Sequence, residues 1–213
     1  MWGRNMNKPL LILIAGGTAS GKTTVVKKIE LHFDNSDVSV VCMDNYYKKR
    51  DGMSLTDRKR VNYDHPDALD MDLLKQQLRE LMNGNGIDCP VYNFQMHNRD
   101  DDKTIRIHPT KVIILEGILA LYDEEIRNMA NILIYVESEA DIRFIRRLKR
   151  DMLSRGRSID DVIDQYLSTV KPMYDAYVAP TKRFADIIIP NDTKHDMAID
   201  ILSAKIKDIV SNN

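Results

Sequence analysis

Cysteine is scarce: the 213 residues hold only Cys42 and Cys89, in apolar or strand-like settings and with neither a CxxC pair nor metal-ligand spacing. This excludes a disulfide framework and predicts two buried free thiols, suited to a reducing cytosol. Net charge is nearly absent as well, with 31 Lys plus Arg against 32 Asp plus Glu. Without a global field, neither nucleic acid nor an anionic membrane is an expected partner, and any anion must be gripped locally. Long apolar runs are missing; the longest clean stretch, Leu10 to Ala15, is too short to span a bilayer. The opening Met1 to Lys8 lacks the apolar core of a signal peptide and carries no other pattern, so a cytoplasmic protein is expected. His65, His97 and His108 have no metal-ligand spacing and read as hydrogen-bonding or packing residues.

What is present is 43% apolar content, enough for a substantial core in one compact unit spanning 1–213. Leu10 to Ala15 reads as a strand, Lys22 to Phe33 as a helix, and Asp37 to Met43 as a second strand. Asp44 to Asn62 is polar and too long for an ordinary connector, which suggests a functional loop. A helix is expected from about Asp70 to Met82. Two strand-like pieces follow, Ile87 to Gln95 and Thr104 to His108, joined by a charged tip at Arg99 to Lys103: a hairpin within 87–108. Lys111 to Leu115 and Ile132 to Val136 are β-branched runs of the kind buried on both faces of a parallel sheet. Helices from about Glu139 to Ser154 and Ser158 to Tyr177, a strand Asp186 to Ile189 and a helix from about Asp196 to Ile209 complete the chain. The alternation predicts an α/β fold: three layers around a mainly parallel five-stranded sheet, with an inserted β-hairpin and a helical lid at 139–158. Ligands in such a fold collect at the carboxyl ends of the strands.

Gly16-Gly17-Thr18-Ala19-Ser20-Gly21-Lys22-Thr23 matches G-x-x-x-x-G-K-[ST] between a predicted strand and helix, with Thr24 next in line. Glycines let backbone N–H groups wrap phosphates, the helix N-terminus adds positive potential, Lys22 reaches the outer phosphates, and the Thr23 hydroxyl offers a position to Mg2+. Alone, the loop leaves open a kinase, a GTPase switch or an ATP-driven machine. The Asp-x-x-Gly and Asn-Lys-x-Asp signatures of a GTPase do not occur.

Asp44, at the end of the second predicted strand, reads either as a base that takes a proton from an attacking hydroxyl or as the cap of the next turn. Glu116, directly after a buried strand, should face magnesium or a structural ion-pair partner. Arg143, Arg146, Arg147, Lys149, Arg150, Arg155 and Arg157 crowd one stretch, with the first three and Arg150 on adjoining helix faces. The stretch suits either phosphate, which guanidinium binds bidentately, or a solvated face; Gly156 offers a point where a lid could bend.

The chain resembles the uridine kinase, or uridine-cytidine kinase, family from about Leu10 to Ile209. The resemblance rests on Asp44-Asn45-Tyr46-Tyr47, Asn62-Tyr63-Asp64-His65-Pro66, Pro90-Val91-Tyr92, Ile114-Leu115-Glu116-Gly117-Ile118-Leu119, Arg146-Arg147 with Lys149-Arg150-Asp151, Arg155-Gly156-Arg157 and Lys171-Pro172-Met173. It implies transfer of the γ-phosphoryl of ATP or GTP to the 5′-hydroxyl of uridine or cytidine in pyrimidine salvage. It further implies Asp44 as base with Lys22, Arg147 and Arg150 at the transfer site, and Thr23 and Glu116 on the metal. Asp64 would hold ribose hydroxyls, Tyr92 and His97 the pyrimidine, and Arg147, Arg157 and Gln165 the rest of the nucleoside. A homotetramer is implied too. Pro190-Asn191-Asp192 departs from the Pro-Arg-Gly that many relatives carry after the last strand, which leaves the adenine side and the choice of donor open. The rivals are another acceptor in the same superfamily, as in phosphoribulokinase or pantothenate kinase, a nucleotide-driven switch, and a non-catalytic scaffold.

Overall fold

The computed structural model describes residues 8–34, 36–192 and 196–211; the reading of Met1 to Lys8 falls, up to residue 7, outside them. β1 (Leu10–Ala15) is buried at every position, because even-numbered side chains enter one core and odd-numbered ones the other. Each buried Leu or Ile contributes about 1.5–3 kcal/mol relative to exposure. α1 (Lys22–Glu30) lays Val25, Val26 and Ile29 on the even side. It stops three residues short of the expected Phe33, which packs against the same core after two turns. β2 (Val38–Cys42) runs into a 3₁₀ turn, Met43–Tyr46, and the long polar segment contains a short helix, α2 (Leu55–Lys59), capped by Ser54.

α3 (Met71–Met82) begins at Asp70, whose carboxylate accepts from the Leu73 N–H at 3.2 Å, and buries Leu74, Leu78 and Leu81 on the odd side. β3 (Ile87–Asn93) and β4 (Asn98–Ile107) form the antiparallel hairpin, but its tip is not the charged Arg99 to Lys103. The turn is at 94–97. There the Asn93 side-chain oxygen accepts from the N–H groups of Gln95 and Met96, at 3.0 and 3.1 Å, and His97 takes φ 48°. Arg99 pairs with Tyr92 inside the ladder, and a register shift after Pro90 absorbs the three residues between Asp100 and Thr104.

β5 (Val112–Glu116), α4 (Glu124–Met129), β6 (Ile132–Glu137) and α5 (Ala140–Arg155) follow; α4 had no sequence expectation. The expected helix over 158–177 is broken up. α6 (Ile159–Gln165) passes into a π-helical turn at Tyr166–Val170, the short α7 (Lys171–Met173) containing Pro172, a second π turn at Tyr174–Val178, and a 3₁₀ turn at Ala179–Phe184. Pro172 has no N–H to donate and disturbs the regular ladder. β7 (Ile187–Pro190) and α8 (Asp196–Ser211) close the chain, with Ile199, Leu202 and Ile206 against the even core.

The five-stranded sheet has the order β2-β5-β1-β6-β7 and every neighbouring pair is parallel. α1 and α8 cover one face and α3, α4 and the hairpin the other, giving the expected three layers. Among the described residues no helix is long and apolar enough to cross a membrane. Both cysteines are free; Cys89 is buried and Cys42 only partly so.

Candidate active site

The carboxyl ends of β1, β2 and β5 meet at a cleft of about 300 Å³, lined among others by Thr18, Ala19, Lys22, Thr23, Asp44, Glu116, Arg146 and Arg150. The loop between β1 and α1 sets one wall. Gly21 caps α1 with φ 96°, and a Cβ there would overlap the Asn191 amide. That amide donates to the Ser20 carbonyl at 2.7 Å, and the Ser138 hydroxyl donates to the same oxygen at 3.2 Å. Lys22 Nζ donates to the Gly16 and Gly17 carbonyls, each at 3.0 Å. Burial holds its ammonium below the usual lysine range, against the pull of Glu116 and Asp44.

Glu116 is paired in register with Ile14 of β1 and Cys42 of β2, so the sheet fixes it between the phosphate loop and Asp44. Its two carboxylate oxygens accept from the Thr23 hydroxyl at 3.1 and 3.2 Å. Burial raises its pKa, while Lys22 and the Thr23 hydrogen bond draw it down. A hydroxyl and a carboxylate are hard oxygen donors and fit Mg2+. Among the described residues no group of three or more His, Cys, Asp or Glu forms a protein-only metal cage; magnesium instead binds one or two protein oxygens together with phosphates and water.

Asp44 sits in the 3₁₀ turn after β2, and that turn is tied down from the hairpin. Arg99 Nε donates to the Tyr47 carbonyl at 2.6 Å and Nη2 to the Tyr46 carbonyl at 3.0 Å, with Asp70 Oδ2 at 3.2 Å. Asn45 Oδ1 accepts from the Tyr92 N–H at 3.2 Å. Behind the turn, the ring of Tyr47 meets Tyr63 at 5.1 Å and Tyr92 at 5.0 Å, and Tyr63 meets His97 at 5.5 Å. Among the described residues the buried Tyr92 hydroxyl has no well-formed hydrogen bond, only the neighbouring Tyr63 side chain, so a polar ligand could satisfy it. Burial first, and then Arg157, lower the His97 pKa. Asp64 is raised by burial despite the opposing Arg147.

The arginines separate into distinct roles. Arg143 packs against the phosphate loop: a Cβ at Gly17 would overlap its guanidinium, its Nε donates to the Ser138 carbonyl at 3.1 Å, and it lies 4.0 Å over the Tyr174 ring. Arg146 lines the cleft and donates to Ser138 Oγ and to the Asp192 carbonyl, each at 3.2 Å. Arg147 is buried, with Nη1 on Thr18 Oγ1 at 2.9 Å and Nη2 on Gln165 Oε1 at 2.8 Å. Arg157 donates to the same Gln165 oxygen. Gly156, with φ 63°, caps α5, so it ends a helix at the place where a bend was expected.

Thus the structure gathers Lys22, Thr23, Asp44, Glu116 and Arg150 around one cleft. Asp64, Tyr92, His97, Arg157 and Gln165 form a neighbouring group joined to it through Arg147 and the aromatic rings. Arg99, Asn45, Asp151 and Asn191 had no assigned role from sequence, although Asn45 and Asp151 lie inside the motifs that carry the resemblance. Arg99 was hidden by being taken for a hairpin tip.

The sequence profile of the phosphoribulokinase/uridine kinase family matches residues 11–198. A uridine kinase from Lactobacillus johnsonii is 50% identical over 205 residues, covering 96% of this chain and 97% of its own. One from Clostridium perfringens is 47% identical over 205 residues, covering 96% and 98%. Among solved structures, phosphoribulokinase from Rhodobacter spheroides superimposes with a TM-score of 0.64 at 16% identity, over 86% of this chain and 70% of that one.

Proposed function

The chain belongs to the phosphoribulokinase/uridine kinase family, and from that membership we propose that it transfers the γ-phosphoryl group of ATP to the 5′-hydroxyl of uridine or cytidine. The product is UMP or CMP. The reading rests on one arrangement: Asp44 lines the same cleft as the phosphate-binding Lys22 and the Thr23–Glu116 pair, with an aromatic cluster behind it. A nucleotide-driven switch or a scaffold has no use for an acceptor carboxylate at that point. Tyr92 and His97 favour a nucleoside over a sugar phosphate or pantothenate, since flat rings suit a flat base.

In this reading the loop N–H groups and Lys22 bind the donor phosphates, and Thr23 and Glu116 hold Mg2+, whose charge, when bound, neutralises phosphoryl oxygens. Asp44 accepts the proton of the 5′-hydroxyl as its oxygen attacks in line. Asp64 orients the ribose, Tyr92 and His97 orient the base, and Arg147 with Arg150 offsets charge on the transferring group. Arg157 and Gln165 support the nucleoside side. One catalytic domain, a homotetramer and a cytoplasmic location complete the proposal; sedimentation analysis tests the assembly.

The decisive experiment is a panel of nucleosides incubated with ATP or GTP and magnesium, with products separated by chromatography. UMP and CMP are expected. Their absence at high enzyme concentration removes the acceptor assignment, and the two donors decide what Pro190-Asn191-Asp192 admits.

A further inference from the structure

Asp151 takes no part in the mechanism above, yet it is fully buried and ringed by arginines. Its Oδ1 accepts from Arg150 Nε at 2.8 Å and lies 3.6 Å from Arg155 Nη1; its Oδ2 lies 3.6 Å from Arg147 Nε and 4.0 Å from Arg157 Nη1. Its backbone carbonyl accepts from the Arg157 N–H at 3.2 Å where α5 ends. One residue therefore gathers both the end of the helix and the side chains before and after it.

We propose that Asp151 is a positioning residue that sets the splay of the transfer-site arginines, holding Arg150 by its Nε so that its Nη fork is left for the cleft. This deepens the kinase reading and rests on it. One carboxylate among four guanidiniums leaves the array three charges positive, so Asp151 does not neutralise the site. Its contribution is geometric: a guanidinium is a rigid plane, and gripping it at Nε sets the plane's orientation while leaving both terminal nitrogens available for bidentate phosphate binding. Arg147 is fixed in the same frame, with its Nε toward Asp151 and its two Nη groups on Thr18 and Gln165. Burial opposes the charge of Arg147 and Arg155, and Asp151 offsets part of that opposition.

Positioning and simple charge moderation predict opposite signs. Asp151→Asn keeps the shape and raises the positive charge of the array by one. A carboxylate that only moderated charge would, on removal, tighten binding of inorganic tripolyphosphate and spare turnover. Positioning predicts that uridine turnover falls about 10²-fold, the scale of a roughly 1 Å misplacement, with tripolyphosphate bound no more tightly than by the wild type. Either wild-type-like turnover or tighter tripolyphosphate binding, measured by calorimetry on the folded variant, overturns the proposal. Arg150→Lys and Arg150→Ala keep it testable if Asp151→Asn does not fold. A lysine drawn to Asp151 has no second fork to offer, so the two variants should lose turnover to within about threefold of each other; a lysine variant near wild-type turnover contradicts the assignment. If the wild type makes no UMP, the nucleoside reading fails by itself, and the tripolyphosphate comparison still decides the role of Asp151.

Discussion

The donor wall and the acceptor wall of the cleft are built in different ways. The donor wall is nearly contiguous: Gly16 to Thr23 join one strand to one helix, and Glu116, Ser138, Arg147 and Asn191 bond to it from elsewhere. The acceptor wall draws on residues from Asp44 to Gln165 and is held by side chains that bond to distant backbone, above all Arg99 on the Tyr46 and Tyr47 carbonyls and Asn45 on the Tyr92 N–H. A local motif carries its own backbone geometry and is broken most directly from within. A dispersed site can be broken from far away.

The largest effect should come from chemistry and not architecture. Asp44→Asn is expected to lower kcat by about 10²–10⁴-fold, the range for losing a general base, with uridine affinity largely kept. Turnover near wild type would reject Asp44 as the base. Next, the donor wall should fail from within. Gly21→Ala forces a side chain into left-handed backbone and against Asn191, and should weaken ATP binding roughly 10- to 10²-fold with uridine binding retained. Parallel loss of both ligands, read by calorimetry, would erase the distinction between the walls.

The acceptor wall should fail from a distance. Arg99→Met removes the guanidinium ties from hairpin to turn, leaving the Asn45–Tyr92 bond, and should lower kcat/KM for uridine about tenfold, with KM for ATP within about twofold. An equal rise in KM for ATP would mean that the turn serves both walls. The smallest effect concerns stability. Burial raises the Asp64 pKa above its unfolded value, so its ionisation opposes folding at pH above the folded pKa, and the cost disappears as pH falls below the unfolded one. Asp64→Asn should therefore melt higher than wild type at pH 8 and equally at about pH 4, near the ordinary Asp value, while losing uridine kinase activity. A melting temperature below wild type at pH 8 would show that Asp64 is held by partners and not penalised by burial.

The same contrast explains what could be read from sequence. The sheet strands were legible because each is an apolar run ending in a distinctive residue, and the phosphate loop because its residues are consecutive. Asp44 and Glu116 were reachable from their places at strand ends. Arg99 was not, since charged residues inside a bulged strand look like a loop, and the register shift after Pro90 leaves no mark in composition. Helical spacing groups Arg143 with Arg146, Arg147 and Arg150, but spacing does not say what each guanidinium touches, here Gly17 and the Tyr174 ring. The π turns on either side of Pro172 keep a helical period and were hidden inside it.

Among the described residues, strands β3 and β4 pair only with each other, and no ladder of the central sheet passes through them. An element that borrows none of the sheet's hydrogen bonds is a cassette: on the reading proposed above, selection can alter it, and with it the acceptor, without unzipping the strands that carry Glu116 and the phosphate loop. The hairpin is also tied through Asn98 to the Arg50 N–H, through the His97 carbonyl to the Tyr63 hydroxyl and through the Asp88 carbonyl to Gln77. Any successor hairpin must still bring a donor for the Tyr46 and Tyr47 carbonyls and an N–H for Asn45, or the carboxylate at Asp44 drifts out of register with its new acceptor.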